Sequence, residues 1–545
     1  MTELSRKRLL LLGLDGVTWR LLDPLIADGY MPNLAHLKET GAWGDLESTL
    51  PPVTAAAWPT FQTGVVPGKH GALDFNQYTG DNYKTHPVSA SVVKIPTMWQ
   101  LFSDAGKKVV CVNVPVTYPP RPINGFMVTG ILTPGLSGEF TYPPELSDEL
   151  RQRFPGYIIL TPQTLFNTSR LEDFVDKCIH TEEERIELFM YLLQEKCPDW
   201  DVAMFHVQQL DILQHAVYWW LDKSGPRFDP EKYAIAARAY QAVDKIIGRI
   251  MALMTPDTML AVLSDHGHGP IYRTVNVNSL LAQEGLLSFN RQRGGNLVRK
   301  GINLALRLDR WNLNRRLGRQ RRRKLVDSLN QQVAVNWGQT KAFMVNGWVW
   351  PLIYINVAGR ESQGIVQPGA EYDEVKAQIM RILTDLRDPE TGASVFEQVL
   401  SGDEAFPGGN GRIPDVTGVP TAGFEFSSSF YQEVGDIFRS NLLKRDHTGS
   451  HSMDGIVTLV GPTIAPGELS DARLVDMFAT SLAWMDMPIP DNTDGKVLQT
   501  AFTTPIQERF YAGEASAAAL TGDDAFTADE VQEIEDRLRA LGYMS

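Results

Sequence analysis

The sequence predicts an α/β fold: a mostly parallel central sheet with a cap inserted into it. Three observations carry this expectation. Short, near-continuous apolar runs recur along the chain, as strands covered on both faces require. Helical patterns, such as 180–197 and 230–254, lie between them. Asp15, Asp211 and Asp265 each sit just past an apolar run, and functional groups in such sheets gather beyond the carboxyl ends of the strands. One aspartate there reads as a turn or helix cap. Three at equivalent places, two of them followed by histidine, read as a site.

The runs are RLLLLGLDG, KVVCVNVPV, DVAMFHVQQLD and TMLAVLSDHG, and they assign residues 1–275 to the first part of a catalytic core. From 276 to 440 the pattern changes to a basic stretch and loop-rich sequence such as FPGGNGRIPD, read as the inserted cap. The run DGIVTLVGP returns the chain to the core over 441–505, where 471–500 reads as a closing helix and loop. The tail, 506–545, ends in a helix. Thr527 and Glu530 have capping-box spacing, Val531, Ile534, Leu538 and Leu541 form one stripe, and Gly542 stops it.

Composition narrows the class. Hydrophobic residues make up 43% of 545, enough for a large core, and charged residues at 21% argue against wholesale disorder. The net charge of −14 disfavours non-specific nucleic-acid binding by the whole molecule. Residues 291–324 are the exception, with thirteen Lys/Arg against the single acid Asp309. That stretch reads as a solvated cap surface, or as an amphipathic face for an anionic membrane or a polyanionic substrate. Few aromatics interleave its charges, which argues against nucleic acid. Cys111, Cys178 and Cys197 are odd in number and lack a CxxC, so a reducing compartment is expected. The apolar run Leu9 to Leu14 stops at Asp15, short of the roughly 7–15 residues of a secretory segment. Nor does any run reach the length of a membrane span. A cytoplasmic protein is the expectation.

Four segments carry the chemistry. In SDHGHG, Asp265 and His266 follow a strand, and the turn lets both reach one ion, with His268 two residues on. In LDILQH, Asp211 and His215 are i, i+4 neighbours on a helix face, a spacing that can grip one metal. HTGSHSMDGIV places His447 and His451 ahead of a strand. In PPVTAAAWPTFQTG, Thr54 opens a helix, either as its cap or as a hydroxyl placed where the helix dipole favours an incoming phosphate. Three aspartates and a Thr54 alkoxide balance two divalent ions. Oxygen and imidazole ligands without thiolate suit Zn²⁺, or else Mn²⁺.

Taken in order, these motifs resemble the alkaline phosphatase superfamily, and within it the type I phosphodiesterase/nucleotide pyrophosphatase branch with its bacterial predicted phosphohydrolases and phosphomutases. LLLLGLDGVTWRLLDPLI, the segment from MPNLAHLKETGAWGDLESTL to VVPGKHGALDF, TMWQLFSDAGKKVVCVNVPVTYPP, LDILQH, VLSDHGHGP, GSHSMDGIVTLVGP and ALGYMS carry the resemblance over most of the chain. The resemblance implies an alkaline-phosphatase-like sandwich whose cap selects the substrate. It implies one metal on Asp211, His215 and His451, and a second on Asp15, Asp265, His266 and the nucleophile Thr54. His268 and His447 are candidates for touching substrate. The activity implied is two-metal hydrolysis of phosphate esters through a phosphothreonine.

There are departures. The branch usually has an asparagine three residues after the nucleophile, and this chain has Ala57. The cysteine or serine pattern of sulfatases is absent from VTAAAW. A phosphomonoesterase or phosphomutase on the same core is an alternative reading, and a catalytically weak metal-binding protein is another.

Overall fold

The computed structural model describes residues 6–80, 82–159, 170–290, 335–409, 412–430, 437–440, 447–513 and 526–540. The basic stretch 291–324, and Leu541 and Gly542 at the chain end, lie outside these described residues.

A nine-stranded sheet organises the core. Its order is Gly467–Glu468, Ala42–Glu47, Asp454–Val460, Thr258–Leu263, Arg8–Leu14, Val202–Val207, Val109–Val112, Gly125–Val128 and Thr141–Tyr142. The five strands from Thr258–Leu263 to Gly125–Val128 run parallel, while Asp454–Val460 and Thr141–Tyr142 pair antiparallel to their neighbours. The apolar runs therefore form a mostly parallel α/β sheet.

Successive side chains explain why those runs are apolar throughout. Leu10, Leu12 and Leu14 enter one hydrophobic layer, and Leu9 and Leu11 enter the other. Val202–Val207 and Thr258–Leu263 alternate between the same two layers. With both faces dry, both sets of alternate positions are largely apolar, and the buried polar residues Thr258 and His206 stand at or near strand ends. The first layer is closed by Leu171–Tyr191, Gln209–Leu221 and Pro230–Met251, and the second by Thr54–Thr63 and Asp476–Trp484. Each fully buried leucine contributes about 1.5–3 kcal/mol.

A third core lies apart from these two. The strands Ala342–Asn346, Leu352–Ile355, Val416–Pro420 and Phe396–Ser401 make an antiparallel sheet in that order. Val375, Ile379 and Leu383, one stripe of the helix Ala370–Asp385, are buried with it. Leu73, Tyr78 and Tyr83, from far earlier in the chain, also pack into this core. The long strand Gly267–Asn276 links the layers. It pairs with Gly449–Ser452 so that His268 lies opposite His451.

The C-terminal helix Ala528–Ala540 is capped at Thr527, whose N–H and hydroxyl both donate to Glu530 at 2.8 Å. The three cysteines are buried and unpaired. Among the described residues, no helix is long and apolar enough to cross a membrane.

Candidate metal centre

The parallel strands end on one side of the sheet, and their first turns carry the acids. Asp15 follows Arg8–Leu14 directly, Asp265 follows Thr258–Leu263 after one serine, and Asp211 lies in the first turn of Gln209–Leu221, joined to Val202–Val207 by Gln208 alone. Thr54 is the first residue of its helix; the cap position belongs to Val53, and no side chain caps it. The Thr54 hydroxyl is therefore not spent on the helix. It lies 3.3 Å from Asp15 Oδ1 and 3.1 Å from His266 Nε2.

Two groups of ligand atoms come together: Asp211, His215, His268 and His451 in one, and Asp15, Asp211 and His266 in the other, with atoms of each group within 4.8 Å of one another. Asp211 belongs to both. Asp265 joins the second through Oδ2, 3.4 Å from His266 Nε2. His447 stands at the rim, paired with Glu425 at 2.9 Å, its ring nearly parallel to that of His215 with centroids 5.4 Å apart.

The histidine tautomers show what these groups are built for. His215 Nδ1 lies 2.8 Å from the Gly449 carbonyl, His451 Nδ1 2.8 Å from that of Pro52, His266 Nδ1 3.0 Å from that of Gly267, and His268 Nδ1 2.9 Å from that of Gly16. A carbonyl oxygen only accepts, so each Nδ1 carries the hydrogen and each Nε2 keeps its lone pair. The lone pairs all point into the cluster. His215 Nε2 and His451 Nε2 face each other at 3.0 Å, with Asp211 Oδ1 at 3.4 and 3.5 Å from them. Such an arrangement is repulsive unless a cation lies among the atoms, and carbonyl-oriented imidazoles are the usual supports of a metal. The Thr54 hydroxyl repeats the point, with one hydrogen for two acceptors.

Burial sets the charges. It pushes the Asp15 carboxyl well above the usual range, reinforced by Asp265 and Asp211 and opposed by bonds from Trp58 and Thr54. Burial and Asp211 do the same to Asp265. Burial lowers His206, His266, His268 and His451, and so keeps those imidazoles neutral.

Comparison with known families gives the class of the chain. Residues 9–454 match the family described as type I phosphodiesterase / nucleotide pyrophosphatase. The chain belongs to that family. As a type I phosphodiesterase/nucleotide pyrophosphatase family member it is a phosphoric-ester hydrolase, and its buried Asp/His cluster can hold metal.

Solved structures show the same fold. Murine ectonucleotide pyrophosphatase/phosphodiesterase 5, an inactive variant in complex with AMP, superposes with a TM-score of 0.50 at 12% identity, over 90% of this chain and 98% of that one. Phosphonoacetate hydrolase from Sinorhizobium meliloti, in complex with phosphonoacetate, gives 0.56 at 16% identity, over 87% and 94%. No curated relative matches the sequence.

Sequence reasoning missed three members of the site. Trp58 Nε1 donates to Asp15 Oδ2 at 3.0 Å, and His206 Nε2 lies 3.0 Å from the same oxygen. Together they occupy Oδ2 and leave Oδ1 to the cluster. The i, i+4 spacing of Thr54 and Trp58 was a usable signal. His206 had only its place on a buried strand. Trp348, between the strands Ala342–Asn346 and Leu352–Ile355, packs against the first layer and lies 5.4 Å from His215 and 5.2 Å from His451 between ring centroids.

Proposed function

We propose that the protein hydrolyses phosphodiester or pyrophosphate bonds with two divalent ions and Thr54 as nucleophile. One observation carries this reading: the Thr54 hydroxyl lies against Asp15 and His266, at a helix start where it caps nothing. Asp211, His215 and His451 would hold one ion, and Asp15, Asp265, His266 and Thr54 the other, with Asp211 within ligand reach of both. The donor set of carboxylate, imidazole and hydroxyl fits zinc best and manganese second. When bound, the ions would acidify the Thr54 hydroxyl and stabilise charge on the departing oxygen.

The chain's own residues do the rest. Trp58 and His206 hold Asp15. Thr54 Oγ1 forms the new bond to phosphorus as the alcohol or phosphate leaves with a proton, and water then cleaves the threonine ester, which still carries the substrate's other substituent on phosphorus, and returns the hydroxyl. The N-terminus of Thr54–Thr63 favours the phosphate anion through its dipole. Ala57 is fully buried in the apolar layer and supplies no polar group to the phosphate. The murine relative holds AMP and the bacterial one phosphonoacetate, and both are phosphorus-centred anions, which supports this substrate class.

In this reading residues 276–440 form a cap that selects the substrate. Trp348 walls the His215–His451 side, and His268 and His447 touch substrate. A cytoplasmic setting is supported by the three unpaired, buried cysteines.

Nitrophenyl mono- and diesters offered with Zn²⁺ and Mn²⁺ test the reading. The expected result is metal-dependent turnover that is faster on the diester. Faster turnover of the monoester would favour the phosphatase or phosphomutase alternative, and no turnover with metal bound would favour the weak binding protein.

A pH dependence also follows. Asp15 and Asp265 keep their protons above the ordinary carboxylate value of 3.8 in the metal-free protein. An arriving ion must displace those protons, so metal affinity rises with pH until both groups have ionised. Calorimetric titration in buffers of different ionisation heat should show net proton release. Identical heats in all buffers would contradict it.

A further inference from the structure

The helix Gln209–Leu221 presents Asp211 and His215, yet it begins only one residue after a strand and its opening N–H groups are buried. Such groups need partners. They find one on another helix. Glu182, on Leu171–Tyr191, accepts with Oε1 from both Gln208 N and Gln209 N at 3.1 Å each. Glu182 is 2% exposed, and Arg185, one turn along the same helix, is 1% exposed and donates to the same oxygen at 2.7 Å.

Arg185 is held in turn. With the Asn113 amide oriented to satisfy both neighbours, its oxygen accepts from Arg185 Nε at 2.7 Å and Nη2 at 3.2 Å, and its nitrogen donates to the Tyr157 hydroxyl at 2.5 Å. Asn113 directly follows the sheet strand Val109–Val112 and holds a left-handed conformation, φ 65°. The carboxylate is thus fixed from behind, through Arg185 and Asn113, to the sheet itself.

A buried ion pair is seldom a net source of stability, because desolvating both charges offsets their attraction. What this one does is aim a helix. A carboxylate at a helix N-terminus makes short, charge-assisted bonds to the N–H groups and opposes the dipole. The N–H groups it fixes are two and three residues before Asp211. From this geometry we infer that Glu182, backed by Arg185, is a positioning residue for the metal ligands Asp211 and His215, setting the ion affinity of their site without touching ion or substrate. The inference rests on the metal reading proposed above.

The test is zinc titration of chelator-stripped full-length protein by calorimetry, with zinc alone as the probe. Glu182→Ala should weaken zinc at the Asp211–His215–His451 site by about 10–100-fold, the usual effect of losing a partner that orients a ligand. Glu182→Gln keeps an acceptor for the two N–H groups and should fall between Ala and wild type. At saturating zinc, both variants should recover wild-type kcat, which a general loss of structure would not allow. Unchanged zinc affinity in Glu182→Ala would overturn the inference, as would a kcat that saturating zinc does not restore. If Glu182→Ala does not fold, because Arg185 is left charged and alone, Glu182→Ala combined with Arg185→Met removes both charges and is titrated in its place. Wild-type protein that takes up no zinc would overturn the metal reading and this inference with it. Zinc uptake that is indifferent to Glu182 overturns the inference alone.

Discussion

Asp211→Ala is expected to strip both ions and abolish turnover, whereas His215→Ala should strip one. The difference follows from where the two side chains stand. His215 belongs to a single ligand group, while Asp211 is within ligand reach of His215, His268 and His451 on one side and of Asp15 and His266 on the other. Removing it takes away the carboxylate common to both ligand groups. Metal analysis after dialysis reads the outcome: about two ions per wild-type chain, about one for His215→Ala and none for Asp211→Ala. One ion retained in Asp211→Ala would confine Asp211 to a single site, as the family resemblance implied. Circular dichroism guards the result, because the substitution sits in a helix and must leave it folded.

That shared reach could not be read from the sequence, and the reason is physical. LDILQH shows that Asp211 and His215 lie on one helix face. It does not show how far that face stands from Asp15, which depends on the spacing of neighbouring strands. The strands themselves were legible because both faces are dry and the apolar signal is unbroken. Ala42–Glu47 was not, since its alternate residues reach the surface and Gly44 and Asp45 interrupt it near the sheet edge. Nor was Gly125–Val128, which is four residues long and half-covered at one end. The candidate ligands were legible because each stands beside a strand or in a helix turn. His206, Trp348 and the Glu182–Arg185 pair were not. Their roles come from contacts between segments remote in sequence, such as Glu182 with Gln208 and His206 with Asp15. No local period records such contacts. The sequence alone allows Thr54 to be either helix cap or nucleophile. In the structure Val53 takes the cap position and the hydroxyl turns to Asp15 and His266.

Thr54→Ala should therefore fold, bind metal and lose turnover by about 10³-fold or more, since positioning alone does not replace a nucleophile. The substitution is mild for the structure. Alanine is a better helix former than threonine, and the hydroxyl makes no cap bond that the helix would miss. Asp15, Asp265 and His266 remain for the neighbouring ion, so its affinity should fall modestly while the other site keeps its own. Thr54→Ser should retain measurable activity, because the attacking oxygen survives and only a methyl group is lost. The intermediate supplies the decisive measurement. Acid quench during turnover should leave a phosphoryl group on the peptide that carries Thr54, on serine in Thr54→Ser, and nowhere in Thr54→Ala. If Thr54→Ala turns over near the wild-type rate, or if the label falls on another residue, water attacks phosphorus directly. The hydroxyl would then serve as one more ligand in the cluster, with its single hydrogen and two acceptors explained by the ion alone.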